Sequence, residues 1–261
     1  MTFVCFVVEH GFPVKTVDPI LSLPKTTVHT FLQPHYHQVS FDRRDYFMIR
    51  EMRAAIFDLD GVIVDTAKYH YLAWKRLARD YGFDFTELDN ERLKGVSRVR
   101  SLEILLEIGG LTLEDSEKEK MAAQKNEWYI DYIRHMDASE ILPGAADYLQ
   151  ALRGKGVKTA LGSASKNAPL ILERLGISGL FDAIIDGNSV SKAKPDPEVF
   201  LRAAETLAIP ATSCVVFEDA EAGIQAALRA EMGAVGIGQA AQLKEADILI
   251  SGLWQLVVLM G

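Results

Sequence analysis

The chain has 261 residues, 49% hydrophobic and 25% charged, with a net charge of −8, enough to bury one large core or two smaller ones. The acidic balance excludes the basic face that nucleic acid or an anionic membrane demands, so small molecules are the expected partners, and an anionic substrate would need a local cation. The two cysteines, Cys5 and Cys214, have neither disulfide nor metal-ligand spacing, which suits a cytoplasmic protein, expected to be a monomer.

Residues 1–51 carry Pro13, Pro19, Pro24, Pro34 and four of the six histidines without a sustained helical period, and read as an extension of unknown role. The apolar run Phe3 to Val8 is too short for a membrane span and lacks the basic flank of a signal peptide. His35 and His37 read as a solvated pair. The functional protein is expected to begin near Met48 or Met52, and shortening to Met52 should leave folding and activity intact.

Arg53 to Thr66, RAAIFDLDGVIVDT, is an apolar run that ends in Asp58, Asp60 and Gly61. It reads as a buried strand delivering two carboxylates to a loop, at the strand end where open α/β sheets hold their ligands. Carboxylates two residues apart repel, and a hard cation such as Mg²⁺ between them would relieve this. A helix-loop-helix calcium site needs a longer acidic ladder before its glycine. An acidic turn without an ion is the plainer alternative.

Helical spacing follows over Ala67 to Tyr81, Thr86 to Leu93, Ser97 to Ile108 before Gly109 and Gly110, and Ser116 to about Met136. No strand pattern interrupts them, so residues 66–140 read as an inserted helical cap domain. From Leu142-Pro143-Gly144 the pattern alternates: helix Ala145 to Arg153, strand Val157 to Leu161, helix Pro169 to Leu175, strand Ala183 to Ile185, helix Pro197 to Leu207, strand Cys214 to Phe217, helix Ala220 to Ala230, strand Ala234 to Ile237. This predicts an α/β fold with a doubly wound parallel sheet, its core domain made of residues 52–65 and 141–261. Val257 to Met260 reads as a short helix end.

Three later strand ends carry polar residues. Gly162-Ser163-Ala164-Ser165-Lys166-Asn167 is a small loop before a helix, whose N–H groups could hold phosphate oxygens. Capping explains Ser165 or Asn167 ahead of Pro169, but Ser163 less readily. In Lys192-Ala193-Lys194-Pro195-Asp196-Pro197, Asp196 and Pro197 read as cap and first helical residue, leaving the lysines free to neutralise phosphate. Glu218-Asp219 is a second acidic pair at a second strand end, which strengthens the case for a cation.

The order of DLDG, a serine loop, a lysine before a helix and ED resembles the haloacid dehalogenase superfamily over about residues 52–261. The resemblance implies a Rossmann-like core in which Asp58 is the nucleophile, forming an aspartyl-phosphate, and Asp60 the general acid and base. It also implies that Ser163 and Lys194 bind the transferring phosphoryl group. Asp58, the Asp60 backbone, Glu218 and Asp219 would hold Mg²⁺. The segments DTAKYHYLAW, LKGVSRVRSL, QKN and GSASKN are similar to those of the β-phosphoglucomutase family within it. That likeness implies that Arg98 grips the non-transferring phosphate beside Gly95, Val96, Ser165, Lys166 and Asn167. It further implies that His70 helps couple cap closure to Asp60, that Thr66 joins the catalytic residues, and that Lys125 reaches sugar oxygens. Trp74, Ser101, Asn126 and Ala164 fall in the same segments and join the substrate site.

The implied reaction interconverts β-D-glucose 1-phosphate and glucose 6-phosphate through phosphorylated Asp58 and β-glucose 1,6-bisphosphate. A sugar-phosphate phosphatase with the same core, and a non-catalytic phosphosugar-binding module, are the rival readings. Taken singly, His70 could be a packing residue, Arg98 a solvated neighbour of Arg100, and Lys125 a partner of Glu127. Two departures from the family pattern stand out: Val99-Arg100 where acidic residues are usual, and Gly162 where alanine is common.

Overall fold

Ala54–Phe57 (β1) forms a strand buried at every residue, because helices cover both faces of the sheet it centres. A computed structural model describes residues 43–93 and 96–260. Residues 1–42, with His35 and His37, and Gly95 in the helical block lie outside the described residues.

Strand β1 lies between Lys158–Gly162 (β2) and Cys214–Glu218 (β4), and Ala183–Ile185 (β3), Gly233–Ile237 (β5) and Ile248–Ile250 (β6) complete a parallel sheet ordered β3-β2-β1-β4-β5-β6. The expected doubly wound sheet is present, with β6 in addition. Its three residues follow the polar stretch Gln242 to Asp247 and are too short to show a period. Strand order reverses at β1 and β4, where the loops leaving the sheet part and open a crevice. Phe57 pairs with Leu161 on one side and Phe217 on the other, so Asp58 leaves the sheet level with Gly162 and Glu218.

Alternate residues of β1 serve two cores. Ala55 and Phe57 face a layer with Tyr148, Leu161 and Phe217, while Ala54 and Ile56 face Ala160, Val199, Phe200 and Ile224. Phe57 stacks on Phe217 with centroids 4.7 Å apart and meets Tyr148 edge-on at 6.2 Å. This aromatic floor fixes the strand end that carries Asp58.

Arg43–Glu51 (α1) is a helix, which corrects the reading of residues up to 51 as lacking one; its charged sequence RRDYFMIRE hides a short apolar stripe. Ile49 is buried in the core, and Met48 packs so close to Gly233 that a Cβ there would stand 2.7 Å from its sulfur. The expectation that the chain tolerates shortening to Met52 changes accordingly. A chain begun at Met52 loses the Ile49 burial and is expected to be less stable by about 2 kcal/mol or more, whereas one begun at Arg43 keeps it. Urea denaturation of the two would check this, and equal midpoints would contradict it.

Between β1 and β2 stand Ala67–Asp80 (α2), Glu87–Glu91 (α3), Arg98–Gly109 (α4) and Asp115–Ile133 (α5). Thr86 and Asp89 form a capping box on α3, the Ser97 hydroxyl accepts the Arg100 N–H at the start of α4, and Gly110 ends α4 with φ +63°. The block has its own core, including Trp74, Leu77, Phe85, Leu105 and Met121. Where the chain leaves and rejoins the sheet its two crossings are tied together: Val64 bridges Ile141, the Leu142 N–H donates to Ile63 O at 2.9 Å, and the Tyr69 hydroxyl donates to Glu140 at 2.7 Å.

The sheet's remaining helices are Ala145–Gly154 (α6), Ala168–Leu175 (α7), Glu198–Leu207 (α8), Glu221–Arg229 (α9) and Trp254–Met260 (α10). Helix α8 starts one residue later than expected: Pro197 is the cap position, and Asp196 Oδ1 accepts the Glu198 N–H at 3.0 Å.

Candidate active site

Asp58 is buried at the end of β1, its N–H bonded to Phe217 O at 2.9 Å. The loop then turns at Gly61 with φ +78°, where a Cβ would stand 2.0 Å from Asp219 Oδ2, so only glycine lets the turn lie against Asp219. The Asp60 N–H donates to Asp58 Oδ2 at 3.0 Å, and Lys194 Nζ donates to Asp58 Oδ1 at 2.5 Å and Glu218 Oε2 at 2.9 Å. Burial disfavours the Lys194 charge, but Asp58 and Glu218 more than offset it and raise its pKa.

Oxygens of Asp58, Glu218 and Asp219 lie within 4.8 Å of one another. Burial, followed by the charges of Asp58 and Asp60, pushes Asp219 up to about 7, and burial raises Glu218 despite Lys194. One ammonium among these carboxylates leaves negative charge uncompensated, and an all-oxygen donor set fits a hard divalent cation. The Asp60 carboxylate stands outside this cluster and accepts from the Thr66 hydroxyl. Burial, then the Asp58 charge, pushes Asp60 up to about 7.

In the neighbouring loop the Ser163 N–H donates to Ile185 O at 2.9 Å, and Ser163 Oγ accepts the Ser165 N–H at 3.1 Å. Ser163 thus takes part in a local turn after all, yet its hydroxyl proton stays free to donate. The expected cap is only partly present. Ser165 Oγ accepts the Asn167 N–H at 3.3 Å, whereas the Asn167 side chain makes no cap bond and donates to Asn126 Oδ1 on α5 at 3.0 Å. Ala164 and Lys166 are exposed. Gly162 has a packing reason: a Cβ there would stand 2.9 Å from the Phe200 ring, which lies 4.8 Å from Lys194 Nζ.

On the helical side, Met121, Lys125, Tyr129 and Ile133 form the buried stripe of α5. Lys125 is only 2% exposed, with Nζ 2.8 Å from His70 Nδ1 and 4.6 and 4.7 Å from the Trp74 and Tyr129 ring centroids. Burial, and then the Arg98 charge, holds the Lys125 pKa well below its usual range; burial, then Lys125, does the same to His70. Among the described residues Lys125 meets His70 and not Glu127. Arg100 points away, pairing with Glu103 at 2.8 Å and Glu107 at 3.2 Å. Arg98 is half-buried, with its pKa lowered by burial and no carboxylate partner among the described residues. Ser101 is buried one turn further along α4, and Val96 is exposed just before it.

Two residues of this arrangement were not legible as site residues. Tyr129 faces His70 with ring centroids 4.2 Å apart and lies one helical turn from Lys125, a spacing that could have found it. Phe200 reaches Lys194 across a loop, and no local pattern signals that.

The family model for haloacid dehalogenase-like hydrolases matches residues 52–231. The chain is 45% identical over 201 residues to the β-phosphoglucomutase of Bacillus subtilis, covering 76% of this chain and 89% of that protein. It is 33% identical to a phosphorylated carbohydrates phosphatase of Thermotoga maritima, over 67% of this chain and 80% of the other. Among solved structures, the β-phosphoglucomutase of Clostridium difficile superposes with a TM-score of 0.75 at 43% identity, covering 78% of this chain and 93% of that one. Phosphoglucomutases of this family use a divalent metal ion, for which the Asp58, Glu218 and Asp219 oxygens supply a fitting donor set. With a parallel sheet presenting these carboxylates beside Lys194 and a matched segment that spans most of the sheet, the chain belongs to the haloacid dehalogenase-like hydrolase family.

Proposed function

We propose that the chain is an isomerase carrying out the β-phosphoglucomutase reaction, β-D-glucose 1-phosphate to glucose 6-phosphate, with Mg²⁺ held by Asp58, Glu218, Asp219 and the Asp60 backbone. Bound there, the ion would offset negative charge on the phosphoryl oxygens as they approach a carboxylate. Asp58 is oriented for attack by Lys194 and the Asp60 N–H. In the first half, phosphorylated Asp58 passes its phosphoryl group to the sugar 6-hydroxyl, whose proton goes to Asp60. In the second, Asp58 attacks the phosphorus at C1, the C1–O–P bond breaks on the sugar side of phosphorus, and Asp60 returns the proton to the leaving oxygen. A carboxyl pushed up to about 7 can serve both halves near neutral pH. Ser163 and Lys194 donate to the phosphoryl oxygens in transit.

The observation that carries this reading over plain hydrolysis is the second cationic anchor. Arg98 lacks a carboxylate partner among the described residues and lies near enough to Lys125 and His70 to shift both. A bisphosphate intermediate that reverses within the site needs such a grip at its far end, while water attack on the aspartyl-phosphate does not. The helical block, residues 66–140, acts in this reading as the cap domain over the core of residues 52–65 and 141–261, carrying the far phosphate and excluding water. Gly95, Val96, Ser101, Trp74, Asn126 and the Ala164 to Asn167 loop complete the substrate site, with Thr66 and His70 linking the cap to Asp60. No described helix is long and apolar enough to cross a membrane; a cytoplasmic monomer is part of this proposal, in keeping with two cysteines that lack disulfide spacing.

Arg98→Ala is expected to lower mutase turnover about a hundredfold while reducing hydrolysis of a simple phosphate ester no more than about threefold, as befits loss of a charge-assisted contact to one phosphate. Parallel assays of both activities check this, and equal losses would contradict the role.

A further inference from the structure

The loop from Ser163 to Asn167 is latched from behind by the last residue of β3 and the segment that follows it. Ile185 O accepts the Ser163 N–H at 2.9 Å, the Gly187 N–H donates to Ser165 O at 3.2 Å, and Asn188 Nδ2 donates to Lys166 O at 3.0 Å. Gly187 presses so close that a Cβ there would stand 2.2 Å from Ala164 O. Asn188 is itself aimed: buried Asp186 accepts its backbone N–H at 3.0 Å and its Nδ2 at 2.8 Å.

These latches decide which way the loop's peptide groups face. The loop's peptide bonds are trans, and in a planar trans peptide the N–H points opposite to the C=O. Turning Ser165 O toward Gly187 therefore sends the Lys166 N–H away from the latch. That N–H and the Ala164 N–H have no acceptor among the described residues, whereas the Ser165 and Asn167 N–H groups are taken up by the Ser163 and Ser165 hydroxyls. An unpaired N–H held in a fixed direction on a loop ahead of a helix is suited to an anion's oxygens.

We propose that Gly187 and Asn188 are positioning residues for the phosphosugar: by pinning Ser165 O and Lys166 O, the carbonyls before and after the Lys166 Cα, they hold the Lys166 N–H in place for phosphate oxygens. The inference rests on the phosphosugar reading above. Neither residue touches substrate; both act through the loop.

The test titrates glucose 6-phosphate into the full chain with Mg²⁺ by calorimetry, for the wild type, Asn188→Ala, Asn188→Asp and Gly187→Ala, alongside steady-state kinetics. Asn188→Ala is expected to raise Kd and KM about fivefold, the worth of one modest hydrogen bond, with kcat within about twofold and Tm lowered by no more than about 4 °C. Asn188→Asp, equal in shape but lacking the amide donor and adding a carboxylate beside Asp186, should weaken binding further. Gly187→Ala should weaken it by about tenfold or more; if that variant fails to fold, the two Asn188 variants carry the test. Asn188 variants that bind like the wild type, or that lower kcat and Tm with Kd unchanged, would overturn the inference alone. A wild type that does not bind the sugar phosphate would overturn the phosphosugar reading and the inference together.

Discussion

Asp58→Asn is expected to abolish turnover, lowering kcat by at least about four orders of magnitude. The amide keeps the shape of the carboxylate but cannot form the aspartyl-phosphate. Among the described residues, Asp58 is the only carboxylate that has its oxygens fixed by both a lysine, at 2.5 Å, and the Asp60 backbone, at 3.0 Å. The fold should survive, because Lys194 keeps Glu218 as a partner at 2.9 Å and one source of like-charge repulsion disappears. Kinetics together with mass spectrometry after incubation with acetyl phosphate and Mg²⁺ would read both parts. A variant within about tenfold of wild type, or one that still becomes phosphorylated, would move the nucleophile elsewhere.

Lys194→Met should damage folding and chemistry together. Its ammonium is the one described cation bonded to Asp58 and Glu218, both buried. Removing it leaves carboxylates shielded from water and uncompensated, a change that destabilises by about 3–5 kcal/mol and lowers kcat by about a thousandfold through lost stabilisation of the phosphoryl oxygens. Divalent cation binds the folded state and should restore part of the stability. Urea melts with chelator and with Mg²⁺ would show a large deficit in the first and a smaller one in the second. Equal stability of variant and wild type in chelator would mean that Lys194 does not balance the cluster.

Much of the fold was legible because its signals are local. The apolar run before Asp58, the glycines after α2 and α4, and the alternation after Leu142 each report on neighbouring residues, and the elements fall where those patterns put them. The elements that were missed have weak local signals. Helix α1 hides a core residue, Ile49, among arginines and acids, and β6 is three residues long. The candidate site divides in the same way. Asp58, Asp60, Glu218 and Asp219 sit at strand ends, so topology alone brings three of their carboxylates together. Register and side-chain direction were not readable: that Asp60 turns to Thr66, that Asn167 bonds Asn126 instead of capping α7, and that Phe200 lies under Lys194 depend on contacts between distant segments. Lys125 is an intermediate case. It lies in the apolar stripe with Met121, Tyr129 and Ile133, and a charge in such a stripe is itself a sign of a site.

In the proposed reaction phosphate moves within one site and not to water. The most direct measurement follows glucose 6-phosphate formation from β-glucose 1-phosphate, with Mg²⁺ and a trace of β-glucose 1,6-bisphosphate, while free phosphate is monitored in the same reaction. Glucose 6-phosphate is expected to accumulate without matching free phosphate. Free phosphate released in step with substrate loss would contradict it and leave a sugar-phosphate phosphatase.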